Sequence, residues 1–327
     1  MESEVYNQSK YLILKAAYLY YLKDKSQNEI AELMNISIPT VSRLIKRAKE
    51  EKIVEFVIRN PYIDCIDLED EIKNTFNLSD VVIAPMPSLS DSSLDTKENI
   101  RKLVAIEGAR YIQRIITEQD TLGISWGNTM YELIHYLNPC QKINAAFVTM
   151  HGSISGCHQD MDVKTLVSRM AMTFGGRNYY LLTEGLMSNA DVARQIKQEK
   201  NVKNVLEMFN RITISLNSIG SFYPVIDSLL YRPGDYLTES EINGLKNGGL
   251  VGDMNLRFFD GRGMECDTDL KERTIGIEWE VFKQIKRKIT IASGDTKAHA
   301  LKGALSGGLI DVLIIDYNLG KALLAMR

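Results

Sequence analysis

The sequence predicts an α/β protein of two parts, a small helical DNA reader at the N-terminus and a larger domain built on a mostly parallel sheet. Three observations carry this reading. Residues 26–49 read as two capped helices joined by a tight turn, apolar strand-like runs alternate with helical patterns between residues 81 and 316, and a length of 327 residues exceeds the range in which a single core usually grows. The boundary is expected at residue 59, with 1–59 as the reader and 60–327 as the domain that regulates it.

Ile13, Ala16, Ala17, Tyr20 and Tyr21 recur at helical spacing and predict a first helix over Tyr11 to Lys23. Ser26 followed three residues later by Glu29 is a capping box, in which each side chain satisfies a backbone N–H left open at a helix start. The second helix therefore begins there, packs through Ile30, Leu33 and Met34, and stops near Asn35, a residue that tolerates left-handed backbone angles. After the turn Asn35-Ile36-Ser37, Ser37 is placed to cap a third helix. Pro39 costs that helix no hydrogen bond, because an N–H in the first turn has no intrahelical partner.

Val41, Leu44, Ile45 and Ala48 form the apolar stripe of the third helix. Thr40, Arg43, Lys46 and Arg47 project away from it, with Ser42 on the flank, so the outer face is polar and basic. A recognition helix needs this combination: an apolar face for docking, short hydroxyls near its start, and Arg or Lys to reach phosphates and guanine edges. The candidate DNA-contacting residues are Ser37, Pro39, Thr40, Ser42, Arg43, Lys46 and Arg47. The β-rich run IVEFVI at 53–58 then has the character of the wing of a winged helix-turn-helix, and Asn60-Pro61 breaks it.

Charge supports a local rather than a general nucleic-acid surface. The net charge is −3, residues 1–59 hold ten Lys or Arg against eight Asp or Glu, and the remainder holds 29 against 34. DNA binding must then be local and multivalent through oligomerisation. Apolar runs stay short of a spanning helix and the N-terminus lacks a basic stretch followed by an apolar core, so a cytoplasmic protein without a membrane partner is expected.

In the larger part a helical pattern over Ile66 to Phe76 leads to a strand at Val81 to Ala84, a polar loop, and a long helix over about Lys97 to Ile116. Strand-like runs follow at 121–125, Ala145 to Met150, Tyr179 to Leu182, Arg211 to Ser215, Lys288 to Ala292 and Val312 to Asp316. Their alternation with helices is the mark of a parallel sheet covered on both faces, in which ligands bind beyond the carboxyl ends of strands. Three strand ends run into loops of small residues: Ser125-Trp126-Gly127-Asn128-Thr129, His151-Gly152-Ser153, and the stretch from Ser293 to Lys297 that includes Asp295. Together, with one contributing a Lys near a helix start, they point to an anion pocket. Neither the P-loop nor the dinucleotide fingerprint is present, which disfavours ATP and NAD; no cofactor is expected.

Residues 248–260 combine glycines with an apolar run and allow two readings, a hairpin in which Arg257 and Asp260 are a plain surface pair, or a site in which Asp253 binds sugar hydroxyls. Cys65, Cys140, Cys157 and Cys266 have no metal-ligand spacing, and His151, Cys157 and His158, though close in sequence, lack a fourth ligand at a familiar interval. No metal is expected.

Four blocks in order, residues 26–56, 123–129, 248–263 and 292–316, resemble the SorC, or sorbitol-operon regulator, family of bacterial transcription factors, and the likeness runs nearly end to end. The resemblance implies a winged helix-turn-helix joined to a Rossmann-like effector domain related to sugar-phosphate isomerases and deaminases. It implies a dimer or tetramer whose affinity for operator DNA is set by a phosphorylated sugar or polyol. By position it places residues 125–129 and the loop of His151, Gly152 and Ser153 in the effector pocket, Asp253 on hydroxyls, and Lys297 near the phosphate or sugar. The alternative is an isomerase or deaminase with an appended DNA-binding domain. Asp253, Asp295, His151 and Lys297 are its candidate acid and base groups, but they do not assemble into a catalytic pair from sequence alone, and fold does not prove chemistry.

Overall fold

The computed structural model describes residues 8–54, 62–85, 96–154, 158–231 and 236–326. The chain divides into two compact units, Met1–Arg59 and Asn60–Arg327. Residues 55–58 of the expected wing, most of the polar loop at 85–95, and Cys157 lie outside the described residues.

The first unit contains α1 (Gln8–Tyr21), α2 (Gln27–Met34) and α3 (Ile38–Glu50). The capping box forms: Ser26 Oγ accepts from the Glu29 N–H at 3.3 Å, and the Ser26 N–H donates to the Glu29 carboxylate at 2.8 Å. Asn35 ends α2 in the left-handed region at φ 52°. Ile13, Ala16 and Ala17 of α1, Ile30 and Ala31 of α2, and Val41, Ile45 and Ala48 of α3 are buried. Leu33, expected in that core, is instead exposed; Met34 alone of the two packs against it.

The second unit begins with α4 (Tyr62–Phe76), β1 (Asp80–Ala84), α5 (Lys97–Ile115), β2 (Thr121–Ile124), α6 (Asn128–His135), β3 (Ala146–Thr149), α7 (Val163–Phe174) and β4 (Arg177–Tyr179). It continues through α8 (Ala190–Gln198), α9 (Lys200–Met208), β5 (Ile214–Asn217), β6 (Gly220–Ser221), α10 (Glu239–Asn247), β7 (Leu250–Met254) and β8 (Arg257–Asp260). The last elements are α11 (Leu270–Arg273), α12 (Trp279–Lys283), β9 (Arg287–Ala292), α13 (Ala298–Ser306), β10 (Val312–Asp316) and α14 (Tyr317–Leu324).

Seven strands pair in the order β1-β10-β9-β5-β2-β3-β4, each pair parallel. The period-two alternation of the strands feeds two apolar layers. In β10, Val312 and Ile314 face the layer containing Ile112, Leu133 and Met170, while Leu313 and Ile315 face the layer containing Ile72, Leu301 and Leu319. Each such side chain stabilises the fold by about 1.5–3 kcal/mol through burial alone.

Two strands differ from expectation in position. β4 lies upstream of the expected 179–182, since Leu182 has already left the sheet and is exposed. β5 lies downstream of the expected 211–215 and extends to Asn217, a polar residue that reads as a strand breaker. It is tolerated because its amide donates to Ser215 Oγ at 3.0 Å and to the Ile289 carbonyl at 3.1 Å, which satisfies a buried polar group inside the sheet.

A smaller antiparallel sheet, β6-β7-β8, stands beside the large one. Its β7–β8 hairpin turns on Asn255 and Leu256, both left-handed at φ 54° and 62°, as a two-residue turn between right-twisted strands requires. The hairpin reading of 248–260 is therefore realised. Arg257, however, is not paired with Asp260 at the surface: it is buried and bonds Glu265 at 3.0 Å and Glu278 at 2.7 Å.

Candidate functional site: a basic helix face and a polar cavity at the sheet switch

On α3, Ser37, Pro39, Ser42, Arg43, Lys46 and Arg47 are exposed and Thr40 is half-buried. Ser37 occupies the N-cap position but does not cap the helix with its side chain. Pro39 has no N–H to donate to the Ser37 hydroxyl, and the Thr40 N–H goes to the Ser37 carbonyl at 2.9 Å, so the Ser37 hydroxyl pairs with the Thr40 hydroxyl at 2.8 Å. Arg47 is engaged by Glu51 at 2.5 Å and Lys46 lies 3.8 Å from Glu50. Among the described residues Arg43 bonds the Thr40 hydroxyl alone, at 3.4 Å. Ser37, Thr40 and Arg43 thus form a row that no intrahelical carboxylate occupies.

In the larger unit the strand order reverses direction at β2, where β3 and β4 run to one side and β5 to the other. Such a switch opens a crevice beyond the carboxyl ends of the strands. A cavity of about 400 Å³ lies there, lined by residues that follow β2, β5 and β9. Trp126, Gly127, Asn128 and Thr129 line it from the loop into α6, and Lys297 from the loop after β9. Gly127, at φ 115°, holds a conformation that side chains rarely adopt, and no side chain caps α6. The open N–H groups and positive end of α6 therefore face the cavity, where an anion is favoured.

Several expected residues are not part of the lining. Ser125 is buried behind it, accepting the Ser218 N–H at 3.1 Å and so tying the β2 and β5 loops together. His151, Gly152 and Ser153 turn away: His151 is wholly buried and bridges to Gly276, Ser153 bridges to Glu184, and a Cβ at Gly152 would strike the Glu184 backbone. The reason is the strand order, for β3 lies on the far side of β2 from the crevice. Asp295 is exposed and also lies outside the lining, although its neighbour Lys297 is within it.

Other residues enter that sequence reasoning passed over. Lys97 and Arg101 line the cavity from successive turns of α5, and Asp227 and Ser228 from the segment after β6, while Ser293 and Gly294 of the expected loop after β9 join Lys297 in the lining. The four-residue spacing of Lys97 and Arg101 was visible, but nothing local says that α5 covers the switch.

The charges in the cavity are mutually adjusted. Burial pushes the Lys297 ammonium below its ordinary range, against the pull of Asp227, Asp253 and Asp316. Burial likewise pushes the Asp253 carboxyl up to about 6, opposed by the hydroxyls of Tyr231 and Ser228 and by the charge of Lys297. Asp253 is 4% exposed, and its Oδ1 has no hydrogen-bond partner of good geometry among the described residues. Asp227 accepts the Thr296 hydroxyl at 2.9 Å, and Asp316 accepts the Gly294 N–H at 2.7 Å. A buried carboxylate oxygen left open in this way costs free energy until a donor arrives.

A second cavity, of about 450 Å³, is lined by Arg194, Lys197, Arg257, Glu265 and Glu278 among others. Arg257 and Lys197 are already held by Glu265 and Glu278, so those groups leave little for a ligand. Among the described residues, no group of three or more His, Cys, Asp or Glu is placed to hold a metal. No described helix is long and apolar enough to cross a membrane.

Two stretches of the chain match known families. Residues 60–325 match a family described as "Putative sugar-binding domain", and residues 15–51 match "Sigma-70, region 4". The chain is 33% identical to the deoxyribonucleoside regulator of Bacillus subtilis over 97% of this chain and 98% of that one. It is 30% identical to the sorbitol operon regulator of Klebsiella pneumoniae, over 96% and 97% of the two chains. The crystal structure of full-length SorC from Klebsiella pneumoniae superposes with a TM-score of 0.74 at 28% identity, covering 97% of this chain and 99% of that one. These relatives are transcriptional regulators, not the isomerases or deaminases of the alternative reading. The chain belongs to the SorC, or sorbitol-operon regulator, family of DNA-binding transcriptional regulators.

Proposed function

We propose that the protein controls a carbohydrate or polyol catabolic operon in the cytoplasm, as a homodimer or homotetramer whose affinity for operator DNA is set by a phosphorylated sugar or polyol. The observation that carries the ligand class is the cavity itself. Lys97 and Arg101, the latter 3.9 Å from Glu132, line the cavity with the uncapped start of α6, and Lys297 adds a third cation, while Asp227 and Asp253 supply acceptors for hydroxyls. One end suits a phosphate and the other a polyol.

On the DNA side, Ser37, Thr40 and Arg43 are assigned to the groove, with Pro39 and Ser42 on the flanks. Lys46 and Arg47 are assigned to phosphates, which they reach by exchanging Glu50 and Glu51 for the DNA backbone. One such helix makes a small footprint, so useful specificity requires at least two copies on a symmetric operator.

A thermal-shift screen of the full chain against sugar and polyol phosphates, each beside its unphosphorylated form, tests this. A ligand at 100 times its Kd stabilises the folded state by about 2.7 kcal/mol. A phosphorylated compound is expected to raise the melting temperature and to change operator affinity. Equal stabilisation by the unphosphorylated sugar, or binding without any effect on DNA, contradicts the reading.

A further inference from the structure

We propose that Asp227 and Asp253 act as a charge filter that admits ligands with one phosphate and a neutral, hydroxyl-bearing far end and rejects those with a phosphate at both ends. This rests on the phosphosugar reading above and specifies its ligand class.

The cavity is electrically two-sided. On one side α5 contributes Lys97 and Arg101, and Arg101 lies 3.9 Å from the Glu132 carboxylate of α6, which places this side near the open start of that helix, with Lys97 and the helix end adding positive charge to that ion pair. On the other side stand Asp253 of β7 and Asp227, which follows β6. Lys297 also lines the cavity, within electrostatic reach of both carboxylates and of Arg101, and its charge acts on Asp253. The carboxylate side therefore carries two negative groups against one shared ammonium.

The chemistry of Asp253 is specific. Its Oδ1 is buried and open, and a Cβ at Gly220, its cross-strand partner, would collide with that oxygen. The acceptor is thus seated against the Gly220 backbone beside the Ser228 hydroxyl, and since neither that hydroxyl nor the one of Tyr231 bonds it in good geometry, an incoming donor can satisfy it. A ligand hydroxyl donates; a phosphate dianion does not, and it would bring further negative charge against two carboxylates in a partly enclosed space. Like-charge juxtaposition of this kind costs several kcal/mol, so discrimination of about 100-fold or more is expected.

The test uses matched pairs in calorimetry on the full chain at fixed ionic strength: ribose 5-phosphate with ribose 1,5-bisphosphate, glucose 6-phosphate with glucose 1,6-bisphosphate, and fructose 6-phosphate with fructose 1,6-bisphosphate. In the pair whose sugar fits, the monophosphate is expected to bind about 100-fold more tightly. Asp253→Asn is expected to weaken the monophosphate about tenfold and to shrink the preference to within about threefold, because an amide both loses the acceptor charge and can donate to the second phosphate. Asp227→Asn is a second variant and is expected to shrink the preference as well. Melting temperature and operator binding report that both variants fold. A bisphosphate that binds wild type as tightly as its partner, or a preference unchanged in both variants, overturns the filter alone. Failure of every phosphate to bind overturns the phosphosugar reading and the filter with it.

Discussion

The reading unit draws its outward groups from a single helix, α3, whereas the cavity gathers its groups from α5, the start of α6, the turns after β5 and β6, strand β7 and the loop after β9. The two regions also treat their polar groups differently. On α3 the polar side chains are exposed, and the ion pairs of Lys46 and Arg47 are with Glu50 and Glu51 one turn along, so solvent screens them and they contribute little. In the cavity Asp253 is buried with an open oxygen, and Lys297 sits among three carboxylates. The surface reader is cheap to maintain and tolerant; the cavity stores unfavourable free energy that a ligand can release, which is the property a ligand-driven switch needs.

That contrast can be broken at its most buried point first. His151 lies outside the cavity lining, wholly buried, and burial holds its imidazole down at about 4 against an ordinary value of 6.5. A depressed histidine is neutral in the folded chain while the unfolded chain takes up a proton, so stability is present above about 6.5 and is lost as pH falls towards 4. The expected loss is about 3 kcal/mol. Denaturant midpoints at pH 7.5 and 4.5 check it: His151→Gln should remove most of that difference, and an unchanged pH dependence would show that His151 does not titrate in the window.

The reader is expected to behave independently. Arg43→Ala should weaken operator binding by about 1–3 kcal/mol, the range for a bidentate base contact, and leave effector affinity and the melting temperature where they are. A gel-shift titration with unchanged affinity would remove Arg43 from the interface.

Asp253 sharpens the comparison, because here function and stability should move in opposite directions. Its carboxyl is raised to about 6 from 3.8, so the stability it contributes is present at low pH and is lost as pH rises through about 6. Above that pH the buried charge is a cost. Asp253→Asn should therefore make the ligand-free protein more stable at pH 7.5 by about 1–2 kcal/mol while weakening effector binding. A variant destabilised at pH 7.5 would mean that Asp253 is a structural carboxylate. The smallest effect is local: Ser26→Ala removes the capping box of α2 and should cost the first unit about 1 kcal/mol, read by its thermal midpoint.

What could be read in advance follows from the range of the interactions. The capping box of Ser26 and Glu29, the stop at Asn35, the hairpin at 250–260 and the α/β alternation depend on neighbours within a few residues, and they appear as expected. Ser37 did not cap α3, because Pro39 and a hydroxyl pair with Thr40 compete at the same turn. Membership of the cavity depends on strand order, which is not local. The loop at 151–153 resembles the loop at 125–129 in composition, yet β3 lies outside β2, and the loop folds onto residues 184 and 276 instead. Arg101 and Asp227 carried no distinguishing pattern; α5 and the turn after β6 bring them to the switch.

The most direct test of the central claim, that a ligand in this cavity sets operator affinity, is a fluorescence-anisotropy titration of operator DNA with and without the sugar phosphate found by the thermal-shift screen. It is run on the wild type and on Lys297→Ala. Coupling between the two sites predicts a shift in wild-type affinity of about 5- to 150-fold on adding ligand. Lys297→Ala should match the wild type without ligand and fail to shift with it. If Lys297→Ala shifts as the wild type does, the cavity at the sheet switch is not the effector site.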